Sequence, residues 1–210
     1  MTPTKTRREK FTEVFRQNAW HGDESVSGTG SDLAQTARLR ELLPKLAREL
    51  GVTSLIDAPC GDLHWMKDVP WESMGVFYTG IDIVPDLVER LRATHRERQF
   101  ICADLVTEVL PMADLIFCRD CLVHLPVEEV KSAVRNFAKS GATWLLTTTF
   151  PESGTNTEVR WSGWRPINLQ EAPFHLPAPV KLINEGCTED GGKYADKSLG
   201  LWRLADLSAI

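Results

Sequence analysis

Two acidic side chains stand where apolar stretches of this chain end, about one strand-helix-strand unit apart. The first stretch ends at Asp57, and the turn Ala-Pro-Cys-Gly follows it; the second ends at Asp82. In an open parallel sheet, ligands bind at the carboxyl ends of the strands, and an acid at the tip of the second strand accepts hydrogen bonds from a ribose diol. This pair of acids predicts a ligand that contains a nucleoside.

A possible acid-base pair follows a later apolar stretch. Asp120 and His124 are four residues apart, so they would share one face of a helix. In that arrangement Asp120 could orient an imidazole that takes a proton from a nucleophilic hydroxyl group. We therefore predict Asp120 and His124 as catalytic residues; the alternative is that they only brace a ligand site.

Strand and helix patterns alternate through the middle of the chain and would position these residues. The predicted strands span residues 54–58, 77–83, 99–103, 113–118, 144–149, 180–185 and 199–204, and the predicted helices span 62–67, 85–96 and 127–139. Apolar strands that alternate with helices indicate a parallel sheet covered on both faces. A turn-rich connection predicts that the last two strands pair antiparallel. The expected fold class is α/β, a Rossmann-like doubly wound sheet of about seven strands, mostly parallel with an antiparallel C-terminal hairpin.

Two irregular pieces flank this sheet. Residues 1–32 are expected to form an N-terminal helix (11–20) and a glycine-rich loop that closes over the ligand as a lid. Residues 33–210 are expected to form the main domain, in which residues 150–179 replace a helix with a proline- and tryptophan-rich insertion. Irregular loops on a rigid scaffold commonly shape substrate pockets.

Composition narrows the class of protein. The 210 residues suit one domain, and the net charge of −5 argues against general binding to a nucleic-acid backbone. No apolar run approaches the ~20 residues that span a bilayer, and no signal-peptide pattern opens the chain. Five cysteines without a disulfide framework favour reduced thiols and a cytoplasmic location. The expected partner is a small-molecule substrate, with a homodimer as one option.

Three phrases of the sequence carry a family resemblance. They are Asp-Ala-Pro-Cys-Gly-Asp at 57–62, Cys-Arg-Asp-Cys-Leu-Val-His-Leu at 118–125 and Trp-Arg-Pro-Ile-Asn-Leu at 164–169. With the order of strands and acids, they make residues 33–208 resemble a small bacterial branch of the class I S-adenosylmethionine-dependent methyltransferases. Pro59 and Asp62 replace two glycines of the usual first motif.

This resemblance implies roles for individual residues. Asp57 would contact the cofactor's amino group, Asp82 its ribose and Asp104 its adenine. The residues assigned to cofactor binding are Asp57, Cys60, Gly61, Asp82, Ile83, Asp104, Leu105, Cys118 and Arg119. The residues assigned to the substrate are Trp20, His64, Trp164, Arg165 and Asn168, because aromatic faces beside Arg and Asn suit a polar, ring-bearing molecule. For Arg119, pairing with the cofactor carboxylate and pairing with a neighbouring acid stay open.

The implied activity is methyl transfer from S-adenosylmethionine to a small polar acceptor, with a hydroxyl of a sugar or of a glycosylated or secondary metabolite as the first expectation. N-, C- and carboxyl-methylation are alternatives, as is a non-catalytic cofactor-binding subunit. An NAD-dependent oxidoreductase is a further alternative, although the first turn lacks Gly-x-Gly-x-x-Gly. No metal is expected, because Cys118-x-x-Cys121 has no second pair.

Overall fold

The computed structural model describes residues 5–207, which form four α-helices and one seven-stranded sheet. The strands are β1 (Ser54–Asp57), β2 (Phe77–Asp82), β3 (Gln99–Cys102), β4 (Leu115–Cys118), β5 (Trp144–Thr149), β6 (Lys181–Asn184) and β7 (Ser198–Arg203). Their spatial order is β3-β2-β1-β4-β5-β7-β6. The first five strands run parallel, and β7 is antiparallel to both β5 and β6. The predicted fold class is confirmed.

The helices cover both faces of this sheet. They are α1 (Arg7–Gln17), α2 (Leu33–Leu50), α3 (Pro85–Thr94) and α4 (Val127–Lys139). Apolar side chains of α2 and α3 pack on one face of the sheet, and those of α4 pack on the other together with side chains of the 150–179 insertion. Within residues 5–207, no helix is long and apolar enough to cross a membrane.

The order of the strands creates the place where a ligand can sit. β1 lies between β2 and β4. The chain therefore adds β2 and β3 on one side of β1 and then crosses to add β4 on its other side. The register pairs Asp57 with Gly80 and with Phe117, which sets the carboxyl ends of the three strands at one level. Open α/β sheets bind ligands in the crevice that such a reversal leaves.

The N-terminal helix begins earlier than the sequence pattern predicted. Thr6 caps it: its hydroxyl accepts the Glu9 N–H at 3.2 Å, while the Glu9 carboxylate accepts the Thr6 N–H at 2.7 Å. This reciprocal capping box satisfies two backbone donors and starts the helix at Arg7. The helix ends at Gln17, so Trp20 lies in the loop that follows.

Two local predictions were wrong. Residues 62–67 do not form a helix; they form turns and one 3-10 turn at Met66–Asp68. The Asp62 carboxylate accepts the His64 N–H at 3.2 Å, and this local bond competes with a helix. Asp120 and His124 do not share a helical face either, because Asp120 has a left-handed backbone (φ 49°) and Leu122–His124 is a 3-10 turn.

Candidate active site

The carboxyl ends of β1, β2, β3 and β4 open into one cavity, which α1 and the loop after it cover. Most of the predicted site residues line this cavity: Trp20, Asp57, Cys60, Gly61, Asp82, Ile83, Asp104, Leu105, Arg119, Asp120 and His124. We call the region around Asp57, Asp82 and Asp104 the first half of the cavity. We call the region around Arg119, Asp120 and His124 the second half.

Carboxylates dominate the first half. Asp57 Oδ2 accepts a hydrogen bond from the Tyr78 hydroxyl at 2.6 Å, and Asp82 accepts backbone N–H groups of Gly61 at 3.2 Å and Val84 at 3.0 Å. Neither acid forms an ion pair within residues 5–207. Burial raises the pKa of Asp57 to about 7 and that of Asp82 to about 6. This half of the cavity suits a ligand that donates hydrogen bonds or carries positive charge.

The turn after β1 receives the covering loop at very close range. Gly61 has a left-handed backbone (φ 54°), and a Cβ there would lie 2.4 Å from Ser27 Oγ. Asp62 accepts hydrogen bonds from the Ser25 hydroxyl at 2.8 Å and the Val26 N–H at 3.1 Å. The residue that replaces a motif glycine thus anchors the loop that closes the cavity, a role that the sequence motif did not predict.

The N-terminal helix closes the cavity from the side of β3. Its Phe11 and Phe15 line the cavity. Arg7 forms an ion pair with Asp104 and another with Glu129, the latter at 2.8 Å. The acid predicted to face an adenine amino group is therefore paired with the lid in this structure.

His124 has a defined hydrogen-bond partner in the second half. Its Nδ1 lies 2.6 Å from the Gly163 carbonyl oxygen. Because a carbonyl can only accept, Nδ1 carries the proton of this bond, and Nε2 of the neutral ring keeps a free lone pair. Burial lowers the pKa of His124, which favours the neutral ring near pH 7. The Trp20 ring stacks on it at a centroid distance of 4.9 Å.

The spacing in the sequence predicted that Asp120 orients His124, and this prediction was wrong. Its Oδ2 lies 2.6 Å from Lys197 Nζ and 3.3 Å from the Arg119 guanidinium. Burial alone would raise the pKa of Asp120, but the charges of Lys197 and Arg119 outweigh it and lower the pKa to about 2. So acidic a carboxylate is a poor proton acceptor near neutral pH.

Arg119 is held by groups of the chain itself. Its Nε and NH2 donate to Glu185 Oε2 at 2.9 and 2.7 Å. NH2 also donates to the carbonyl of Gly30 at 2.9 Å, which ties the covering loop to the end of β4. Burial opposes its charge, but Glu185 and Asp120 outweigh burial and raise the pKa of Arg119.

Three residues assigned to cofactor or substrate lie outside the cavity lining and are held by the fold. Cys118 is fully buried at the end of β4. Arg165 is 2% exposed, and its NH1 donates to the Leu125 carbonyl at 2.8 Å. The Asn168 side chain donates to two backbone carbonyls of the insertion, at 3.1 and 3.0 Å. In this structure Arg165 and Asn168 brace the 150–179 insertion, because Arg165 NH1 bonds to the adjoining turn and the Asn168 amide bonds to the backbone of the insertion.

His64 and Trp164 also lie outside the lining but closer to the surface. His64 Nε2 is 3.1 Å from a Glu24 carboxylate oxygen in the covering loop. Trp164 is 40% exposed and packs edge-on against Tyr194, with ring centroids 4.7 Å apart. Its neighbour Gly163 holds His124, so this aromatic pair stands beside the second half of the cavity.

Two residues hold the second half together: Glu185, which sequence reasoning missed, and Lys197, for which the sequence left open both a reach to the site and a surface pair. Lys197 is 4% exposed and Glu185 is 2% exposed. Both lie far from β4 in sequence, next to the last two strands. The signal for Lys197 was its place directly before the predicted last strand; the structure brings it to the site because that strand, β7, pairs with β5.

A cation site is not evident from the side chains. Within residues 5–207, no group of three or more His, Cys, Asp or Glu side chains could hold a metal ion. The Cys118 and Cys121 thiols contact each other, and this contact and burial raise the pKa of Cys121.

Comparison with known proteins places the fold. No family model matches the chain, and no curated protein matches it in sequence. Among solved structures, the 1,6-didemethyltoxoflavin-N1-methyltransferase of Burkholderia thailandensis, crystallised with its substrate and S-adenosylhomocysteine, has a TM-score of 0.66 at 15% identity, over 97% of this chain and 92% of that one. A S-adenosylmethionine-dependent methyltransferase from Clostridium acetobutylicum has a TM-score of 0.58 at 9% identity, over 92% and 97%.

The fold alone does not define the reaction. The [4+2]-cyclase SpnF has a TM-score of 0.61 at 16% identity, over 96% of this chain and 97% of that one. Identities this low establish a shared fold, and that fold is the one of class I S-adenosylmethionine-dependent methyltransferases. Function must therefore be argued from the residues of the site.

Proposed function

We propose that this chain is a S-adenosylmethionine-dependent methyltransferase of a small polar acceptor. The observation that carries the proposal is the first half of the cavity, where carboxylates of β1 and β2 lie buried without an ion pair within residues 5–207 and carry raised pKa values. A ligand with ribose hydroxyls, an amino group and a sulfonium supplies the donors and the positive charge that these acids accept. The fold shared with methyltransferases supports the same ligand.

The lining residues fit this cofactor in detail. Asp82 would accept the ribose hydroxyls, Asp57 the amino group, and Ile83 and Leu105 would pack on the adenine. Gly61 has no Cβ to collide with Ser27 of the loop that would cover this cofactor. Arg7 would have to share Asp104 with the adenine amino group or release it. Arg119 would support cofactor binding indirectly, by holding the covering loop, because its guanidinium already pairs with Glu185.

Catalysis would rest on alignment and on one base. When bound, the cofactor supplies an electrophilic methyl group whose leaving group needs no proton, so proximity provides most of the acceleration. His124 would accept the acceptor's proton at Nε2, since the bond to Gly163 keeps Nδ1 protonated. Residues 5–32 would exclude water from the reaction, as a lid does.

The acceptor proposed first is a hydroxyl group of a sugar or of a glycosylated or secondary metabolite. The free lone pair of His124 supports a hydroxyl nucleophile, which needs a base. The half-exposed ring of Trp164, next to the Gly163 that holds His124, supports a ring-bearing acceptor. We propose a small-molecule partner and a cytoplasmic location, with a homodimer as an option. N-, C- and carboxyl-methylation and a non-catalytic cofactor-binding role remain alternatives.

Calorimetry with S-adenosylhomocysteine and with NAD tests the proposal. We expect saturable binding of S-adenosylhomocysteine at one site and no heat with NAD, because the first turn offers an acid where a pyrophosphate needs backbone donors. Binding of NAD without binding of S-adenosylhomocysteine would refute the proposal. Binding without methyl transfer to any member of a metabolite panel would favour the non-catalytic alternative.

A further inference from the structure

One carboxylate oxygen in the second half is buried and has no hydrogen-bond partner among residues 5–207. Asp120 lines the cavity, and its Oδ1 is buried without a hydrogen bond to any residue from 5 to 207. Its Oδ2 is taken by Lys197 Nζ and faces the Arg119 guanidinium. Oδ1 is therefore the oxygen left for a ligand. A buried, charged acceptor without a hydrogen bond is unfavourable. A ligand that donates a hydrogen bond to Oδ1 would therefore remove the free-energy cost of burying that oxygen unpaired.

Lys197 determines which oxygen of the Asp120 carboxylate is left without a partner. It stands directly before β7 and is 4% exposed, and its amino group also faces Glu185 at 4.0 Å and Glu189 at 3.7 Å. The Asp120 N–H donates to the Thr148 hydroxyl at 2.8 Å, which holds the backbone of Asp120 from the neighbouring strand β5. The carboxylate is thus fixed both at its backbone and at Oδ2.

Among residues 5–207, the arginines that line the cavity and the lysine at this carboxylate are all paired, so none of them is free for an anionic ligand. Both arginines that line the cavity are paired with acids of the chain, Arg119 with Glu185 and Arg7 with Asp104. Lys197 is paired with Asp120. The groups that face Asp120 are Lys197 from the start of β7, Arg119 from the end of β4 and His124 from the turn beyond it.

We infer that Lys197 is a positioning residue for Asp120, and that Asp120 Oδ1 selects acceptors that present a hydrogen-bond donor, an ammonium or a hydroxyl group, over acceptors that present a carboxylate. This inference rests on the proposed function and narrows it, because it removes carboxyl-methylation from the alternatives. It also changes the role of Asp120 from the group that orients His124, which its spacing predicted, to an ionised anchor.

The test compares three probes that share one ring and differ in their polar group: benzylamine, benzyl alcohol and benzoate. Each is titrated by ligand-observed NMR into the full chain saturated with S-adenosylhomocysteine at about pH 8. We expect benzylamine to bind tightest and benzoate weakest, with about tenfold between them, since charge-assisted hydrogen bonds are about twice as strong as neutral ones. Asp120→Asn keeps the size of the side chain and should reduce the difference to about twofold or less.

Lys197→Met tests the positioning role. Without the lysine the pKa of Asp120 rises, so the preference for benzylamine should persist at about pH 8 and fade at about pH 5, whereas in the wild type it persists at both. Lys197→Arg should restore the wild-type profile. Lys193→Met is the matched control, because Lys193 lies on the same segment, exposed over the Tyr194 ring, and should change nothing.

The outcomes separate this inference from the proposed function. A wild-type chain that fails to bind S-adenosylhomocysteine refutes the proposed function. A chain that binds it but shows no preference among the probes, or prefers benzoate, overturns only the inference. If Asp120→Asn weakens S-adenosylhomocysteine more than about tenfold and leaves the order of the probes unchanged, Oδ1 serves the cofactor and the inference is again overturned.

Discussion

The two halves of the cavity handle buried charge in opposite ways. In the first half, Asp57 and Asp82 accept hydrogen bonds from the chain but form no ion pair within residues 5–207, and burial raises the pKa of both. In the second half, Asp120 is equally placed at a strand end but faces Lys197 and Arg119, and its pKa falls to about 2. The difference teaches that Asp57 and Asp82 are left for the charge and donors of a ligand, whereas Asp120, like Asp104 beside Arg7, is balanced by the chain before a ligand arrives.

The largest expected effect comes from removing an acid of the first half. Asp82→Ala should lower the affinity for S-adenosylhomocysteine by at least about a hundredfold, because hydrogen bonds to a charged group contribute about 1.5–3 kcal/mol each. Calorimetry measures it. The exposed Glu89 on α3 is the control, and Glu89→Ala should leave the affinity unchanged. Affinity that survives Asp82→Ala would remove the ribose assignment.

A pH titration separates the halves by stability. An unfolded aspartate titrates near pH 4, while the folded values are about 7 for Asp57 and about 6 for Asp82. Between about pH 4 and pH 7 the folded chain holds protons that the unfolded chain has released, so raising the pH lowers the free energy of unfolding. Asp57→Asn should flatten this decline and raise Tm near pH 8 by several degrees, since about 1 kcal/mol shifts Tm by roughly 2–4 °C.

Thermal unfolding of the ligand-free chain at several pH values checks this expectation. In the second half the sign is reversed: the pKa of Asp120 is lowered, so its contribution to stability is present above about pH 4 and is lost only as the pH falls towards about 2. If Tm of the wild type and of Asp57→Asn depended on pH in the same way, the carboxylate of Asp57 would not lack a compensating charge.

The protonation of His124 provides a spectroscopic test of the second half. Nitrogen-15 NMR should show a neutral ring with the proton on Nδ1 near pH 7 and a pKa below the ordinary value of about 6.5, because the ring is buried and bonded to Gly163. The ring of His95, at the end of α3, serves as an internal comparison. A proton on Nε2 instead would contradict the role of His124 as the base.

The smallest expected effect concerns the lid. Arg7→Ala should speed the dissociation of S-adenosylhomocysteine by about two- to fivefold, because partly exposed ion pairs contribute only up to about 1 kcal/mol. Stopped-flow displacement measures the rate. Lys10→Ala on the same helix, whose nearest acid Glu13 is 4.0 Å away, is the control. A slower dissociation in Arg7→Ala would mean that Arg7 competes with the ligand for Asp104.

The sequence predicted the strands and helices around the site better than the hydrogen bonds and ion pairs within it. The strand at Trp144–Thr149 and the helix at Val127–Lys139 have the predicted bounds, because apolar periodicity and local propensity decide such elements. The acids at the strand tips follow from the same pattern. The turn at 62–67 was mistaken for a helix because Asp62 and His64 bond locally and to the covering loop.

The partners of the acids in the second half could not be predicted from local patterns. Lys197 reaches Asp120 across 77 residues, Glu185 reaches Arg119 across 66, and Gly163 reaches His124 across 39. Only the spatial order of the strands brings these groups together. The same holds for Arg165 and Asn168, whose types suggested substrate contacts but whose side chains bond to nearby backbone.

The ion pairs that fasten α1 have a consequence for the ionic strength of the surroundings. Arg8 with Glu108 and Arg16 with Asp86 are exposed, at 2.7 and 2.6 Å, and span from α1 to the main domain. At about 0.15 M salt the screening length is about 8 Å, and it shortens to about 3 Å near 1 M, so exposed pairs of this kind weaken as salt is added. In the Lys197–Asp120 pair the lysine side chain is 5% and the carboxylate side chain 25% exposed, so those ions screen this pair less. Added salt is therefore expected to weaken the ion pairs that hold the cover on the cavity more than the ion pairs in its interior.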